Sequence, residues 1–182
     1  MLDAIEGRRS VRKYQGRPVD DKTVLELLDA AHRAPSGDNT QPWRFIVVRS
    51  DETRAAIAAA SHRQEWMRSA PVHIVCVADI RARVKDGRLH YLDEKTPDFE
   101  LKQVIRDTAI AVDHLILEAT AQGLGSCWTA WYTQAEIRPL LGIPDDKFVV
   151  GIVTLGFAAE EPKARPRRPL EEILHRESWE TR

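Results

Sequence analysis

Arg8, Arg9, Arg12 and Lys13 stand within one seven-residue run, Arg8-Arg9-Ser10-Val11-Arg12-Lys13-Tyr14, beside the hydroxyl of Ser10. Further along, Ala34-Pro35-Ser36-Gly37-Asp38-Asn39-Thr40-Gln41-Pro42-Trp43 sets hydroxyls and amides in a loop constrained by proline and glycine. The first run supplies charge for a phosphate, whose oxygens arginine forks match bidentately. In the second, Ser36, Asn39 and Gln41 offer donors and acceptors for the edge of a planar heterocycle, and prolines lower the entropy lost on binding. Together they point to a nucleotide-like cofactor, and a flavin fits best. Arg165, Arg167 and Arg168 offer a second basic cluster from the other end of the chain. Two clusters converging on one anion would make a phosphate site. For any single arginine, surface charge is the plainer reading, and Arg8 and Arg9 would also suit a helix C-terminus.

Other chemistries have weaker signals. Gly123-Leu124-Gly125 lacks the third glycine of a dinucleotide fingerprint and follows a helix rather than a strand. Cys127 invites a nucleophile reading with His114 or His73 as base, but its apolar context argues for an unactivated thiol. The six histidines show no metal-ligand spacing, so no metal site is expected. Trp43, Trp66, Trp128 and Trp131 could flank a flat ligand, although core packing accounts for each more simply.

The 182 residues fit a single domain, 1–182, large enough for a real core. A net charge of −1 gives no global field to draw the protein onto nucleic acid or an anionic membrane. The two cysteines are too few for a disulfide framework. The start shows no basic or apolar leader, and no apolar run approaches the roughly 20 residues of a membrane span. The expectation is a cytoplasmic protein with neither a nucleic-acid nor a membrane partner.

The elements that must position these residues follow from periodicity and punctuation. Asp3 is read as the cap of a short helix ending near Gly7–Arg9. From Asp20 or Asp21, Val24, Leu27, Leu28 and Ala31 form one helical stripe, closed by Pro35 and Gly37. Residues 44–48, 72–78 and 148–155 read as strands, and 127–132 as extended. Asp51 to about Ala60 is helical. Residues 79–98 are charged and irregular, read as a surface excursion or lid. A long, broadly apolar helix from Phe99 to Gln122 belongs in the core or a subunit interface, with Gly123 just beyond it. Thr133 and Glu136 form a capping box for a short helix ending at Gly142. The tail from Pro162 is basic and proline-rich, with weak helix at residues 170–174. The order of elements indicates an α+β domain.

Five blocks closely resemble the nitroreductase family of flavoproteins, in order and spacing over essentially the whole chain. They are residues 8–14, residues 34–43, Ala70-Pro71-Val72, Gly123-Leu124-Gly125-Ser126-Cys127-Trp128 and Arg165-Pro166-Arg167-Arg168-Pro169-Leu170-Glu171-Glu172. The resemblance implies an α+β fold, a central mixed or antiparallel sheet flanked by helices, in an intertwined homodimer with FMN at the interface. It implies that Arg8, Arg9, Ser10 and Arg12 hold the flavin, with Arg165 and Arg167 of the 162–182 tail completing the phosphate site. Pro35, Ser36, Gly37, Asn39 and Gln41 would reach in from the partner. Trp128, Thr129 and Ala130 would pass the flavin face, with a backbone N–H near Ala130 approaching N5, and Gln64 is the candidate at the pyrimidine edge. No side chain is nominated as catalytic, because flavin N5 carries the chemistry. NAD(P)H would reduce the flavin, and an electron-poor small molecule such as a nitroaromatic or quinone would reoxidise it by a ping-pong scheme. Residues 79–103 match no family pattern and are where a substrate pocket would be shaped. The alternatives are another flavin chemistry on this scaffold (reductive dehalogenation, flavin fragmentation or ring oxidation) and a non-enzymatic nucleotide-binding module.

Overall fold

The computed structural model describes residues 1–88 and 90–180. Four strands carry the core: β1 (Trp43–Val48), β2 (Val72–Asp79), β3 (Gly125–Thr129) and β4 (Lys147–Gly156), in the order β1-β2-β4-β3. Every pairing between them is antiparallel. β2 is buried along its whole length, which explains its near-continuous apolar sequence. Its side chains alternate between two layers, as strand geometry demands. Ile74 and Cys76 join one cluster with Leu27, Leu115 and Leu155. Val75 and Val77 join another with Ile57, Met67 and Ile137.

The first layer is built by α2 (Asp21–His32) and α4 (Phe99–Ala121), the second by α3 (Asp51–Ala60) and α5 (Gln134–Leu140). The helix starts follow ordinary capping chemistry. Asp20 accepts from the Thr23 N–H at 2.7 Å, and Asp98 accepts from the Leu101 N–H at 3.0 Å. The Thr133–Glu136 capping box is present. At the front of the chain α1 (Asp3–Gly7) has Leu2 as its N-cap, with no side-chain bond, so Asp3 is the first helical residue rather than the cap. The segment expected to be extended from Cys127 to Tyr132 is instead a strand that starts two residues earlier and stops at Thr129. In the tail, α6 (Leu170–Ile173) buries nothing.

The stretch that follows β2 is fastened across the end of the sheet through Ile80 and Leu92. Leu92 is buried with Ile80, Leu101, Val104 and Val150. The buried guanidinium of Arg138 donates to the Leu92 carbonyl at 2.8 Å and to that of Asp145 at 2.7 Å. Val150 reaches this cluster because of a bulge in β4: Cys76 pairs with Gly151 and Val77 with Val149, leaving Val150 unpaired in the register.

His73, fully buried on β2, places its Nε2 2.9 Å from the Met67 carbonyl. Burial pushes its pKa down from 6.5 to about 4, against the opposing effect of that hydrogen bond. The folded chain therefore keeps the ring neutral, while the unfolded chain takes up a proton below about pH 6.5. Between those two values the unfolded state binds more protons, so stability is fully present above pH 6.5 and falls as the pH drops toward 4. The size of the effect is on the order of 3 kcal/mol. His73→Gln, which can still donate to Met67, should flatten the fall in urea midpoint between neutral pH and pH 4.5 relative to the parent protein.

Candidate cofactor site

The basic run leaves the end of α1. The Arg8 N–H donates to the Ala4 carbonyl at 3.1 Å. Arg9 folds back, its guanidinium donating to the carbonyls of Glu6 at 2.7 Å and Arg8 at 2.9 Å. Arg9 thus satisfies carbonyls left open at the end of α1, as its position suggests.

From Ser10 the chain lies along the sheet. Ser10 makes a parallel bridge with Ser126, and Tyr14 an antiparallel one with Ala158. The Val11 N–H donates to Ser126, that of Gln15 to Phe157, and that of Ala159 to Lys13, each at 2.9 Å. Gly125 allows the approach: a Cβ there would sit 2.9 Å from Val11 Cγ2. Tyr14, its phenol pushed up by burial, stays neutral, donates to the Val11 carbonyl at 2.7 Å and meets the Thr154 hydroxyl at 2.7 Å. Glu160 completes the attachment, one carboxylate oxygen accepting from the N–H groups of Arg12 at 2.6 Å and Lys13 at 3.0 Å. Sequence reasoning missed Glu160. Only folding brings it across 148 residues to Arg12.

The two basic clusters meet. Arg8, Ser10 and Arg12 line one groove of about 1020 Å³ with Arg165 and Arg167 from the tail. Elsewhere Arg33, Arg44, Arg49, Arg54, Arg81 and Arg83 each hold a carboxylate within 4 Å, while among the described residues Arg17, Arg63 and Arg106, scattered outside the groove, hold none. Among the described residues Arg8, Arg12, Arg165 and Arg167 hold none. Glu6 also lines the groove but pairs with none of them, and guanidinium groups gathered around one concavity in this way are a donor set for an anion, phosphate above all.

A smaller pocket of about 240 Å³ shares Arg8 and Ser10 and runs to Asp113, Cys127 and Trp128. Trp128 lies over Gly151, beside the β4 bulge, in space that any Cβ at 151 would fill. Thr129 is buried, and Ala130 is exposed just past the strand end. Thr129 receives a hydrogen bond from Gln64 Nε2 at 2.9 Å, and Gln64 Oε1 accepts from Trp66 Nε1 at 3.1 Å. The Trp66 ring in turn lies 5.6 Å from the Arg12 guanidinium. Gln64, Thr129 and Arg12 are therefore brought together, and the Gln64 amide keeps a second N–H to offer. Burial pushes the Cys127 thiol up, with Arg12, a Ser10 hydrogen bond and Arg8 pulling the other way. It remains a thiol, and neither His114 nor His73 is its partner.

The Pro35–Gln41 loop is placed elsewhere. Asp38, Asn39 and Gln41 adopt left-handed φ of 52°, 53° and 47°, a strained arrangement for three residues so close together. Ser36 holds the loop from within, its hydroxyl accepting from the Gln41 N–H at 3.0 Å and its carbonyl from the Asn39 N–H at 3.0 Å. Gln41 Nε2 donates to the Asn39 carbonyl at 3.2 Å. Pro35 and Asn39 are exposed. Outside the loop, Asp107 of α4 accepts from the Gly37 N–H at 3.2 Å, and Arg83 donates to the Gly37 carbonyl at 3.4 Å. Arg83 itself is paired with Glu100. Asp107 and Asp113, which lines the smaller pocket, are about 9 Å apart along α4 and about a third of a turn apart around it. Within one chain, the loop and the smaller pocket that adjoins the arginine groove thus address different parts of the same helix.

The chain matches the model of the nitroreductase family over residues 5–64 and 58–157. It is 33% identical over 191 residues to an NADH dehydrogenase of Thermus thermophilus, covering 92% of this chain and 91% of that protein. To a 5,6-dimethylbenzimidazole synthase of Rhodospirillum rubrum it is 30% identical over 204 residues, covering 100% of this chain and 90% of that one. A solved structure from Desulfovibrio desulfuricans in complex with FMN has a TM-score of 0.82 at 29% identity, covering 98% of this chain and 96% of that one. The chain belongs to the nitroreductase family, a family of oxidoreductases.

The Glu160 attachment is directly testable. Glu160→Ala should cost about 1 kcal/mol, since the carboxylate is partly solvated, while Glu160→Gln keeps a neutral acceptor and costs less. Urea unfolding of the two variants beside the parent protein would read the order.

Proposed function

We propose that this chain is an FMN-dependent NAD(P)H oxidoreductase acting on an electron-poor acceptor, such as a nitroaromatic or a quinone. The observation that carries the reading is the meeting of Arg8, Ser10 and Arg12 with Arg165 and Arg167 on one groove, without carboxylate partners. The groove, at about 1020 Å³, is at the upper limit of the size of small-molecule and cofactor sites. The FMN complex of a family member 29% identical to this chain supports the same assignment.

In this reading Arg8, Arg165 and Arg167 hold the phosphate, and Ser10 offers its hydroxyl to the ribityl chain. Arg12 lies toward the pyrimidine edge, where a cation favours negative charge developing near N1 and O2. Gln64, its amide oriented by Thr129 and Trp66, offers its remaining N–H on the same side. The Trp128–Ala130 backbone lies along the ring, and Trp128 is kept in place by the absence of a side chain at Gly151. When bound, FMN supplies hydride acceptance and release, so NAD(P)H and acceptor can react in turn through one slot. The protein positions the rings and tunes their electronics, and no dedicated side-chain acid or base is needed.

Pro35, Ser36, Gly37, Asn39 and Gln41 line neither that groove nor the smaller pocket beside it, and Gly37 is held by Asp107 and Arg83. Their place on another part of α4 supports the proposal that they serve the partner's flavin in an intertwined homodimer.

Purified protein should carry a flavin absorption band, release FMN on heating, and bleach anaerobically with NADH or NADPH. Arg12→Gln and the Arg165→Ala/Arg167→Ala pair should each weaken FMN binding by about ten- to a hundredfold, the worth of a charge-assisted hydrogen bond or two. A protein that takes up no FMN, or holds FMN that neither nicotinamide reduces, would sink the proposal. The flavin spectrum should also survive repeated turnover in air. Progressive loss of the flavin itself would favour flavin fragmentation instead.

A further inference from the structure

Trp131 follows directly on the Trp128–Ala130 segment and belongs to none of the hydrophobic clusters of the core. It remains 62% exposed, although indole is among the largest apolar surfaces a protein can bury. Its ring is nevertheless ordered against a partner. The His62 imidazole stacks on it with centroids 4.6 Å apart and planes at 19°. His62 Nδ1 lies 3.0 Å from the Trp131 carbonyl, and a carbonyl only accepts, so Nδ1 carries the hydrogen.

The turn that presents His62 is strained. His62 and Arg63 both adopt left-handed φ, 52° and 54°. Non-glycine residues keep that conformation only where their surroundings impose it. Here the Arg63 N–H donates to Ala59 and that of Gln64 to Ala58, each at 3.1 Å. Two further ties join the turn to the end of β3: Gln64 to Thr129 at 2.9 Å, and His62 to Trp131 at 3.0 Å. The core gains nothing from an exposed tryptophan held this way. What the arrangement yields is a rigid aromatic surface beside the segment assigned to the flavin face.

We infer that Trp131, braced by His62, is the platform that selects acceptors, favouring flat electron-poor rings over acceptors that cannot stack. The inference rests on the flavin-site reading above. The indole face is electron-rich, whereas nitro and quinone substituents draw electron density from a ring. Offset stacking of the two is therefore favourable, and aromatic pairs contribute about three- to tenfold in binding beyond the area they cover. Because His62 already orders the indole, little rotational freedom is lost when a ring settles on it. Trp131 is a specificity residue, and His62 is its positioning residue.

The test uses the flavin-loaded protein and three variants, Trp131→Phe, Trp131→Ala and His62→Ala. Each is assayed at saturating nicotinamide donor with 2,4-dinitrotoluene, 1,4-naphthoquinone and ferricyanide, the last being an acceptor with no ring to stack. Trp131→Ala should raise KM for both ring acceptors about tenfold and leave the ferricyanide KM and the flavin content within twofold of the parent. Trp131→Phe, which keeps a ring and guards against misfolding of the alanine variant, should fall between. His62→Ala should also raise KM for the ring acceptors alone, because the indole loses its brace. Equal changes for ring and non-ring acceptors, or none for any, overturn the inference while leaving the flavin reading intact. Failure of the flavin reading shows earlier, in an unsubstituted protein whose flavin is absent or is not reduced, and the inference falls with it.

Discussion

Everything at the candidate site depends on how the run from Ser10 to Gln15 is fixed to the sheet. β3 is an edge strand, and an edge strand leaves a row of backbone groups unpaired. Ser10 and Val11 take up Ser126 from that edge, while Lys13 and Gln15 exchange bonds with Ala159 and Phe157 just past β4. The buried Tyr14 hydroxyl and the Glu160 carboxylate fasten the middle. The attachment covers an exposed edge and, in doing so, turns a flexible basic run into a fixed array. Arg8 stands just before it and Arg12 within it, and the chain that leaves the end of β4 carries the tail arginines back to the same groove.

Much of the frame was legible in the sequence. The apolar run of β2, broken only by His73 before its terminal Asp79, marks a strand buried on both faces, and the α2 stripe and the Thr133–Glu136 box mark helices that exist as expected. What stayed hidden depends on contacts with no local signature. Glu160 looks like any surface acid until its carboxylate meets Arg12 and Lys13. Leu92 sits in a charged, irregular stretch, yet it is buried under the guanidinium of Arg138. Gln64 is singled out by family resemblance alone, and its bond to Thr129, 65 residues away, has no local signature in the sequence. Ser36 and Gln41, chosen as hydrogen-bonding groups for a heterocycle, spend part of that capacity on each other and on their own loop. Spacing in a sequence cannot distinguish a donor aimed outward from one that holds a turn.

Small residues next to large ones recur around the site. Val11 packs into the space over Gly125, and Trp128 into that over Gly151. In each case the absent side chain lets a neighbour approach the sheet more closely than ordinary packing would allow. The β4 bulge acts in the same way, sending Val150 to the cluster around Leu92 and leaving Gly151 beneath the indole. The irregularities of the sheet are concentrated where the segment assigned to the flavin face lies, the usual place for bulges next to a site.

The grip on the Gly37 peptide has a further consequence. Asp107 holds its N–H from α4, and Arg83 holds its carbonyl from the excursion after β2. Arg83 is fixed in turn by Glu100, at the start of the same helix. The excursion after β2, which the sequence alone left without a family pattern and which lies inside the family match over residues 58–157, is thus wired to the Pro35–Gln41 loop. Under the proposed function, acceptor range and cofactor geometry would then share one mechanical linkage rather than being independent modules. Exchanging the excursion for that of a relative would carry over specificity only together with a cation placed as Arg83 is. Without it, a change made on the acceptor side would first be felt where the cofactor loop is held.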